Sequence, residues 1–368
     1  MERQNYWQPL FKEFTKTFPQ TQVYTGFWEG FVPGIEDAFT VEVVGKTKFV
    51  PTTQGTGYSP GFISLSPRII VELFKFQPQV IFVSGFSLWT LLSLVFKPLG
   101  RWKVIIIYDG SSPTIDYINS RRRLILRSTM VRFADAYITN TNGGKNYLTK
   151  ILGAEEHRVF ARPYQVPDVK TLLGQQGEEA NSELEYQHPI FLFVGKLIPR
   201  KGLRFLLEAC TILKQQGYQN YTVLIVGDGE QRKELEIYSQ NQGLMDCLRW
   251  VGWGNYDKLG AYFRQADVFV FPTLEDIWGV VLLEAMAFGQ PILCSKWAGS
   301  SELVVEGKNG YIFDPYHPEE LAKHIKCFID NPDLIISMGQ QSQQLIAQHN
   351  PEAAANFLIE VTSFALNQ

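Results

Sequence analysis

Cysteine is scarce in this chain: four residues (Cys210, Cys247, Cys294 and Cys327), all in the second half, none close enough to another to form a CxxC or CxxH site. That spacing excludes a disulfide scaffold and a zinc knuckle, and the thiols read as reduced core residues of a cytoplasmic protein. No charged segment followed by an apolar stretch opens the sequence, so nothing in it reads as a signal peptide. Long apolar runs are lacking too. The one stretch that could be mistaken for a membrane span, Val80 to Phe96, has no charge over seventeen residues, at the lower bound for a span. Ser84 and Gly85 divide it into VIFVSGF, which suits a buried strand, and SLWTLLSLVF, which suits a helix.

With 368 residues, 45% hydrophobic and 14% aromatic, the chain is long enough for about two globular domains. That composition excludes intrinsic disorder and a collagen-like fibre. The formal charge of −3 hides an asymmetry. Up to residue 165 there are 19 Lys and Arg against 12 Asp and Glu, a balance of +7; beyond it there are 15 against 25, a balance of −10. A basic half implies an acidic partner: an anionic membrane surface, a phosphorylated acceptor or a nucleic acid.

From residue 69 onward, short β-branched runs alternate with helical patterns: VIFVSG, KVIIIYDG (103 to 110), AYITN and RVFAR are the strands, with helices between them. Such alternation predicts βαβ units and a mostly parallel sheet, hence an α/β fold. Residues 1–165 read as one doubly wound domain. Residues 166–187, polar and poorly periodic, read as a linker, and 188–350 as a second domain opening on HPIFLFVGKL. Two such Rossmann-like domains imply a central cleft between the carboxyl ends of the sheets. The beginning departs from this plan, because Tyr6 to Thr17 already reads as a helix with no room for a strand before it. The expectation is a missing first strand or a late start.

The segment ADVFVFPTLEDIWGVVLLEAMAFGQPILCSKWAGSSELVVEGKNGYIFDP (266 to 315) carries the chemistry. It reads as a strand end, an acidic loop with Glu275 and Asp276, Gly279, and an apolar helix bearing one acid, Glu284. The first-turn N–H groups of Gly279, Val280 and Val281 suit a phosphate, because a helix start has unpaired donors and a partial positive charge. A capped helix with an ordinary ion pair fits the same residues equally well. The segment resembles the donor-binding region of the retaining glycosyltransferases of the large GT4 group, whose fold is GT-B and whose mark is an acid, seven residues, then Glu-Ala-Met-Ala. Seven residues separate Asp276 from Glu284, and EAMA stands at 284 to 287. The departure is Asp276, where the family usually has Glu; a one-residue loop shift would exchange it with Glu275.

VGKLIPRKGLRFLLEA (194 to 209) is similar to the stretch in which that family grips the donor diphosphate, and puts Lys196 after Gly195 and Lys201 before Gly202. Lysine for the more usual arginine at 196 keeps the charge and loses the two-pronged geometry. Read alone, the stretch is a solvated helix start. IVGDGEQRKELE offers Gly227 and Gly229, but position 232 is Arg, so a dinucleotide fingerprint is incomplete. WVGWG (250 to 254) resembles the segment lying against the nucleobase, with Val251 and Trp253 as its contacts; both suit a core equally.

The resemblance implies transfer of a hexosyl group from a nucleoside diphosphate sugar to a glycan or lipid-linked acceptor, with retention of configuration. Lys196 and Lys201 would steady the leaving diphosphate, Asp276 the sugar hydroxyls, and Glu284 the ribose or the sugar. No Asp-x-Asp triplet occurs, and no metal or other cofactor is expected, lysines and a helix start taking the place of Mg²⁺. Relatives often set a histidine from the first domain beside the reacting sugar, but all five histidines here follow residue 156. The loop after KVIIIYDG offers Asp109 instead, as a polar partner or as a cap for the next turn. Arg121, Arg122, Arg123 and Arg127 in SRRRLILRSTMVRFAD read as a solvated face, or as a surface for anionic lipid or a phosphorylated lipid acceptor. No nucleic-acid reader pattern accompanies them. The expected setting is cytoplasmic, peripheral on the inner face of the membrane, and the last helix, within 351–368, is expected to cross back onto the first domain as in relatives. Two rivals remain: a sugar-nucleotide-binding protein without turnover, and an NAD-dependent oxidoreductase.

Overall fold

The computed structural model describes residues 6–45, 48–51, 61–174, 186–253 and 256–368, and divides into two units: 1–166 with 349–368, and 167–348. Residues 175–185 of the expected linker, and Gly254 of WVGWG, lie outside the described residues. The first unit opens with the Trp7–Thr15 helix, which buries Leu10 and Phe14. Strands β1 (Gln22–Thr25) and β2 (Thr40–Val43) then pair in parallel, and β3 (Lys48–Pro51) and β4 (Gly61–Ser64) form an antiparallel pair. The expectation of a missing first strand is corrected to this extent: strands do stand ahead of residue 69, after the helix. β1 is half-buried throughout and β2 is exposed at both ends, so neither carries the alternation by which a strand is recognised.

Strands β5 (Val80–Ser84), β6 (Lys103–Ile107), β7 (Ala136–Thr139) and β8 (Val159–Ala161) form a four-stranded parallel sheet in that order. β6 and β7 are buried almost end to end, as parallel strands covered on both faces require. The uncharged Val80 to Phe96 stretch divides as expected into β5 and the Leu88–Val95 helix, whose N-cap Ser87 and Thr90 make a reciprocal capping box. Among the described residues no helix is long and apolar enough to cross a membrane. The Pro351–Leu366 helix packs against the Trp7–Thr15 helix and against β5, β6 and β7, and Glu360 accepts two hydrogen bonds from Arg162 at 2.6 and 3.0 Å.

In the second unit β9 (Ile190–Val194), β10 (Thr222–Val226), β11 (Leu248–Gly252), β12 (Val268–Phe271), β13 (Ile292–Ser295) and β14 (Gly310–Phe313) make one parallel sheet, ordered β11-β10-β9-β12-β13-β14. Every residue of β9, β10, β12 and β13 is buried, which explains their unbroken apolar runs. The Leu203–Gln215 and Pro318–Asp330 helices pack together on one face. The expected linker is corrected at its head: Val169–Gly174 is a helix that buries Leu172 and packs on the Val280–Ala287 helix. The order of connection reverses between β9 and β12. Ligands of open α/β sheets bind at the carboxyl ends of strands at such a reversal, so the loops after β9 and β12 are where a site belongs.

Candidate functional site

Those two loops hold the expected charges. After β9 the chain passes Gly195 and the exposed Lys196, makes a 3₁₀ turn over Pro199–Lys201, and enters the next helix through Gly202. After β12 it runs through Pro272, Thr273, Glu275 and Asp276 to Gly279 and the Val280–Ala287 helix. The loops are bolted together by backbone. Leu274 N–H donates to the Arg200 carbonyl at 2.8 Å, and the Thr273 hydroxyl donates to the same oxygen at 2.9 Å. Gly202 has φ +68°, and a Cβ there would stand 1.9 Å from the Pro272 carbonyl oxygen, so only glycine permits this approach.

The bolt brings Lys201 to Asp276. Its ammonium donates to Asp276 Oδ2 at 2.6 Å, Arg200 Nη1 reaches the same oxygen at 3.3 Å, and Trp278 N–H donates to Oδ1 at 3.3 Å. Burial alone would raise the pKa of Asp276; the Lys201 and Arg200 charges outweigh it and leave the carboxyl below its ordinary value. Arg200 also donates to the Glu275 carbonyl at 2.8 Å. It is the residue that sequence reading missed: beside Lys201 it reads as one more solvated cation, and nothing local announces that its guanidinium turns into the crevice. Glu275 is buried, and of the two adjacent acids it is Asp276 whose carboxylate meets Lys201.

Gly279 caps the Val280–Ala287 helix at φ +90°, with Val280 and Val281 half-buried in the first turn. A Cβ at 279 would meet Phe271 at 2.6 Å and the Ser300 hydroxyl at 3.1 Å. Ser300, fully buried, has no hydrogen-bond partner for its hydroxyl among the described residues, a donor left over beside a helix start. Glu284, 1% exposed, sits in the same helix. The glycines after β10 are packing devices: a Cβ at Gly227 would stand 1.8 Å from the Gly195 carbonyl oxygen, and one at Gly229 2.4 Å from that of Leu197. Arg232, where a dinucleotide fingerprint needs its third glycine, bonds Glu236 at 2.8 Å. Val251 is half-buried in β11, and Trp253 is exposed just beyond it.

In the first unit Asp109 follows β6 and is held on its own sheet. Its Oδ1 accepts from Tyr164 Oη at 2.7 Å and from Gln165 Nε2 at 3.0 Å, while its carbonyl accepts from Asn140 Nδ2 at 3.0 Å. Burial and the Asp109 charge push the Tyr164 phenol far above its ordinary pKa, so Tyr164 stays a donor. The arginines of the Arg121–Phe133 helix separate. Arg121 and Arg122 are exposed, whereas Arg123 stacks on Tyr117 at 3.8 Å. Arg127 turns inward, donating to the Ile115 and Asp116 carbonyls at 3.0 and 3.1 Å and to Tyr147 Oη at 2.8 Å. The expectation of four arginines on one face is corrected for Arg127, whose Nη1 is taken up by two carbonyls and a phenol close by.

Residues 175–348 match the model of the family described as glycosyl transferases group 1. The chain is 26% identical over 318 residues to a D-inositol 3-phosphate glycosyltransferase of Pseudarthrobacter chlorophenolicus, covering 81% of this chain and 73% of that one. It is 25% identical over 228 residues to the alpha-D-kanosaminyltransferase of Streptomyces kanamyceticus, covering 61% of this chain and 59% of the relative. It is 34% identical over 177 residues to the amylovoran biosynthesis glycosyltransferase AmsK of Erwinia amylovora, covering 45% and 43%. The chain thus spans less than two thirds of the length of the last two. Among solved structures, Anabaena Alr3699/HepE in complex with UDP superposes with a TM-score of 0.75 at 18% identity, over 99% of this chain and 97% of that one. The fold is GT-B, with two Rossmann-like units built on parallel sheets.

Proposed function

We propose that the protein, whose residues 175–348 match the model of the group 1 glycosyl transferases, moves a hexosyl group from a nucleoside diphosphate sugar to a glycan or lipid-linked acceptor, with retention of configuration and without a metal ion. The observation that carries this reading is the convergence of Lys201, Arg200 and Asp276 where the sheet reverses. As the bond from sugar to diphosphate breaks, negative charge grows on the leaving phosphate. Lys201 and the exposed Lys196 are the cations in the loop after β9 that meet it, with the helix start at Gly279, Val280 and Val281 as a third source of positive potential. Asp276 holds Lys201 on its carboxylate. A bound diphosphate competes for that ammonium, and Arg200 keeps Asp276 balanced when Lys201 turns away. Asp276 then has an oxygen for a sugar hydroxyl, and Glu284 serves the ribose or the sugar.

Asp109, held by Tyr164 and Gln165, is the polar group that the first unit's sheet offers to the acceptor side in this reading. Its partners fix the carboxylate, so it acts as an oriented acceptor of hydrogen bonds. The protein works on the inner face of the membrane, its nucleotide sugar drawn from the cytoplasm. Structures of Alr3699/HepE hold UDP and glucose, and UDP-glucose, which makes UDP-hexoses the first donors to test. A thermal-shift panel of UDP, GDP, ADP, their hexose conjugates and NAD tests the proposal. A ligand at 100 times its Kd adds about 2.7 kcal/mol to the native state, raising the midpoint by roughly 5 to 11 °C. A shift with one nucleotide diphosphate and none with NAD, unchanged by EDTA, is expected. A shift with NAD alone, or none with any nucleotide, overturns the reading.

A further inference from the structure

Between Glu72 and Asp135 the chain carries nine Lys and Arg and two acids, Asp109 and Asp116. Neither acid is exposed: Asp116 is buried beneath Tyr108 and Ser111, and Asp109 is held by Tyr164 and Gln165. The surface built from this segment is therefore cationic, and the carboxylates that compensate it are the two at its ends, Glu72 on Lys75 and Asp135 on Lys97 and Lys103. Large apolar side chains stand on it as well: Leu99 is 73% exposed, Phe133 62%, Val95 60% and Ile125 59%.

These residues are not scattered. The exposed positions of the Arg121–Phe133 helix are Arg121, Arg122, Ile125, Leu126, Thr129, Arg132 and Phe133, one side of a 3.6-residue helix, with arginine and apolar side chains interleaved. The Leu88–Val95 helix packs beside it, and Lys97 donates to the Phe133 carbonyl at 2.9 Å, tying the turn that bears Leu99 to the end of the arginine helix. Between them lies an open pocket of about 390 Å³ lined by Leu94, Lys97, Arg101, Lys103 and Phe133 among others. Its one acid, Asp135, is buried and already shared between Lys97 at 2.7 Å and Lys103 at 3.7 Å, leaving three cations against one carboxylate. Lys103 opens β6 and Asp135 immediately precedes β7, so the pocket lies at the amino ends of the strands, the opposite end of the sheet from Asp109.

We propose that this face is a bilayer-docking surface: Leu99, Phe133, Val95 and Ile125 enter the boundary between headgroups and acyl chains, Arg121, Arg122 and Arg132 pair with lipid phosphates, and the pocket of Lys97, Arg101 and Lys103 takes one anionic headgroup. Charge complementarity selects the occupant. An anionic lipid surface accepts exposed apolar groups and arginines together, whereas a protein partner would have to bring its own acids and an apolar patch to match. The inference narrows the proposed peripheral location to one face, and stands independently of the transfer chemistry.

Co-sedimentation of the full chain with sucrose-loaded vesicles tests it, comparing phosphatidylcholine alone with a mixture holding 30% phosphatidylglycerol. The expected result is binding to the mixed vesicles only, weakened roughly 25-fold or more by the Arg122→Glu/Arg132→Glu pair, at about fivefold for each cation. The exposed Leu99→Ser/Phe133→Ser pair is expected to weaken it by at least tenfold. Absence of binding to the mixed vesicles, or retention by both variant pairs, overturns the proposal. So does loss in the charge pair alone, which would mean electrostatic adhesion without insertion, and so does full competition by 10 mM inorganic phosphate, which would mean a free-anion site. The nucleotide-induced thermal shift, read on the same variants, reports the second unit separately, so a failed surface and a failed transferase are told apart.

Discussion

Asp276 is a buried carboxylate kept ionised by two cations, and that arrangement gives it a pH signature. Its folded pKa lies below the ordinary 3.8, so its contribution to stability is fully present above about pH 4 and is lost as pH falls through the depressed value. Urea unfolding of the wild type should therefore weaken steeply below pH 4, while Asp276→Asn should show a flatter profile there and a loss of about 3 kcal/mol or more at pH 7, from cations left without their partner. Equal pH profiles for the two proteins would remove this role for the residue. Lys196, Lys201, Asp276 and Glu284 could be marked in the sequence by their resemblance to the family's motifs, and of these the structure brings Lys201 to Asp276. Arg200 could not, since its part depends on the loop after β12 lying across it. The inward turn of Arg127 is invisible in sequence for the matching reason: its partners, the Ile115 and Asp116 carbonyls and Tyr147, come from other segments.

The loops after β9 and β12 hold together because Gly202 lets one backbone reach the other. Gly202→Ala puts a Cβ 1.9 Å from the Pro272 carbonyl oxygen in a left-handed conformation, so either the turn or the loop must move. We expect a loss of roughly 3 kcal/mol in chemical denaturation, at the upper end for single substitutions, and loss of the nucleotide-induced shift. Unchanged stability would mean that the two loops are not braced as described. Strands β6, β7, β9, β10, β12 and β13 were legible because parallel strands covered on both faces are continuous apolar runs, whereas β14, only half-buried along its middle, reads as a turn in KNGYIF. β1 and β2 were not, each having four residues with half-buried or exposed positions and no period. The helix Val169–Gly174 hid inside a polar stretch for a similar reason, since it buries a single leucine.

The charge asymmetry between the halves was visible in the sequence, and it divides between two kinds of work. The basic half carries the proposed lipid surface. The acidic half, −10 overall, gathers Lys196, Arg200 and Lys201 in the loop after β9, where in the proposed transfer Lys196 and Lys201 meet the diphosphate and Arg200 stays with Asp276. The fold class followed from the alternation of strand and helix patterns. The placement of the site did not follow from that alone, because it needs the strand order, and the reversal between β9 and β12 is a property of the folded sheet. The most direct measurement is the initial rate of diphosphate release from the hexose donor giving the largest thermal shift, for wild type and Lys201→Ala, in the presence of EDTA. Removing one donor that stabilises a developing anion costs about 3 to 4 kcal/mol, so the variant should be slower by two orders of magnitude or more while keeping its fold. Wild-type release that needs a divalent metal, or a Lys201→Ala rate close to wild type, would contradict metal-free transfer through this crevice.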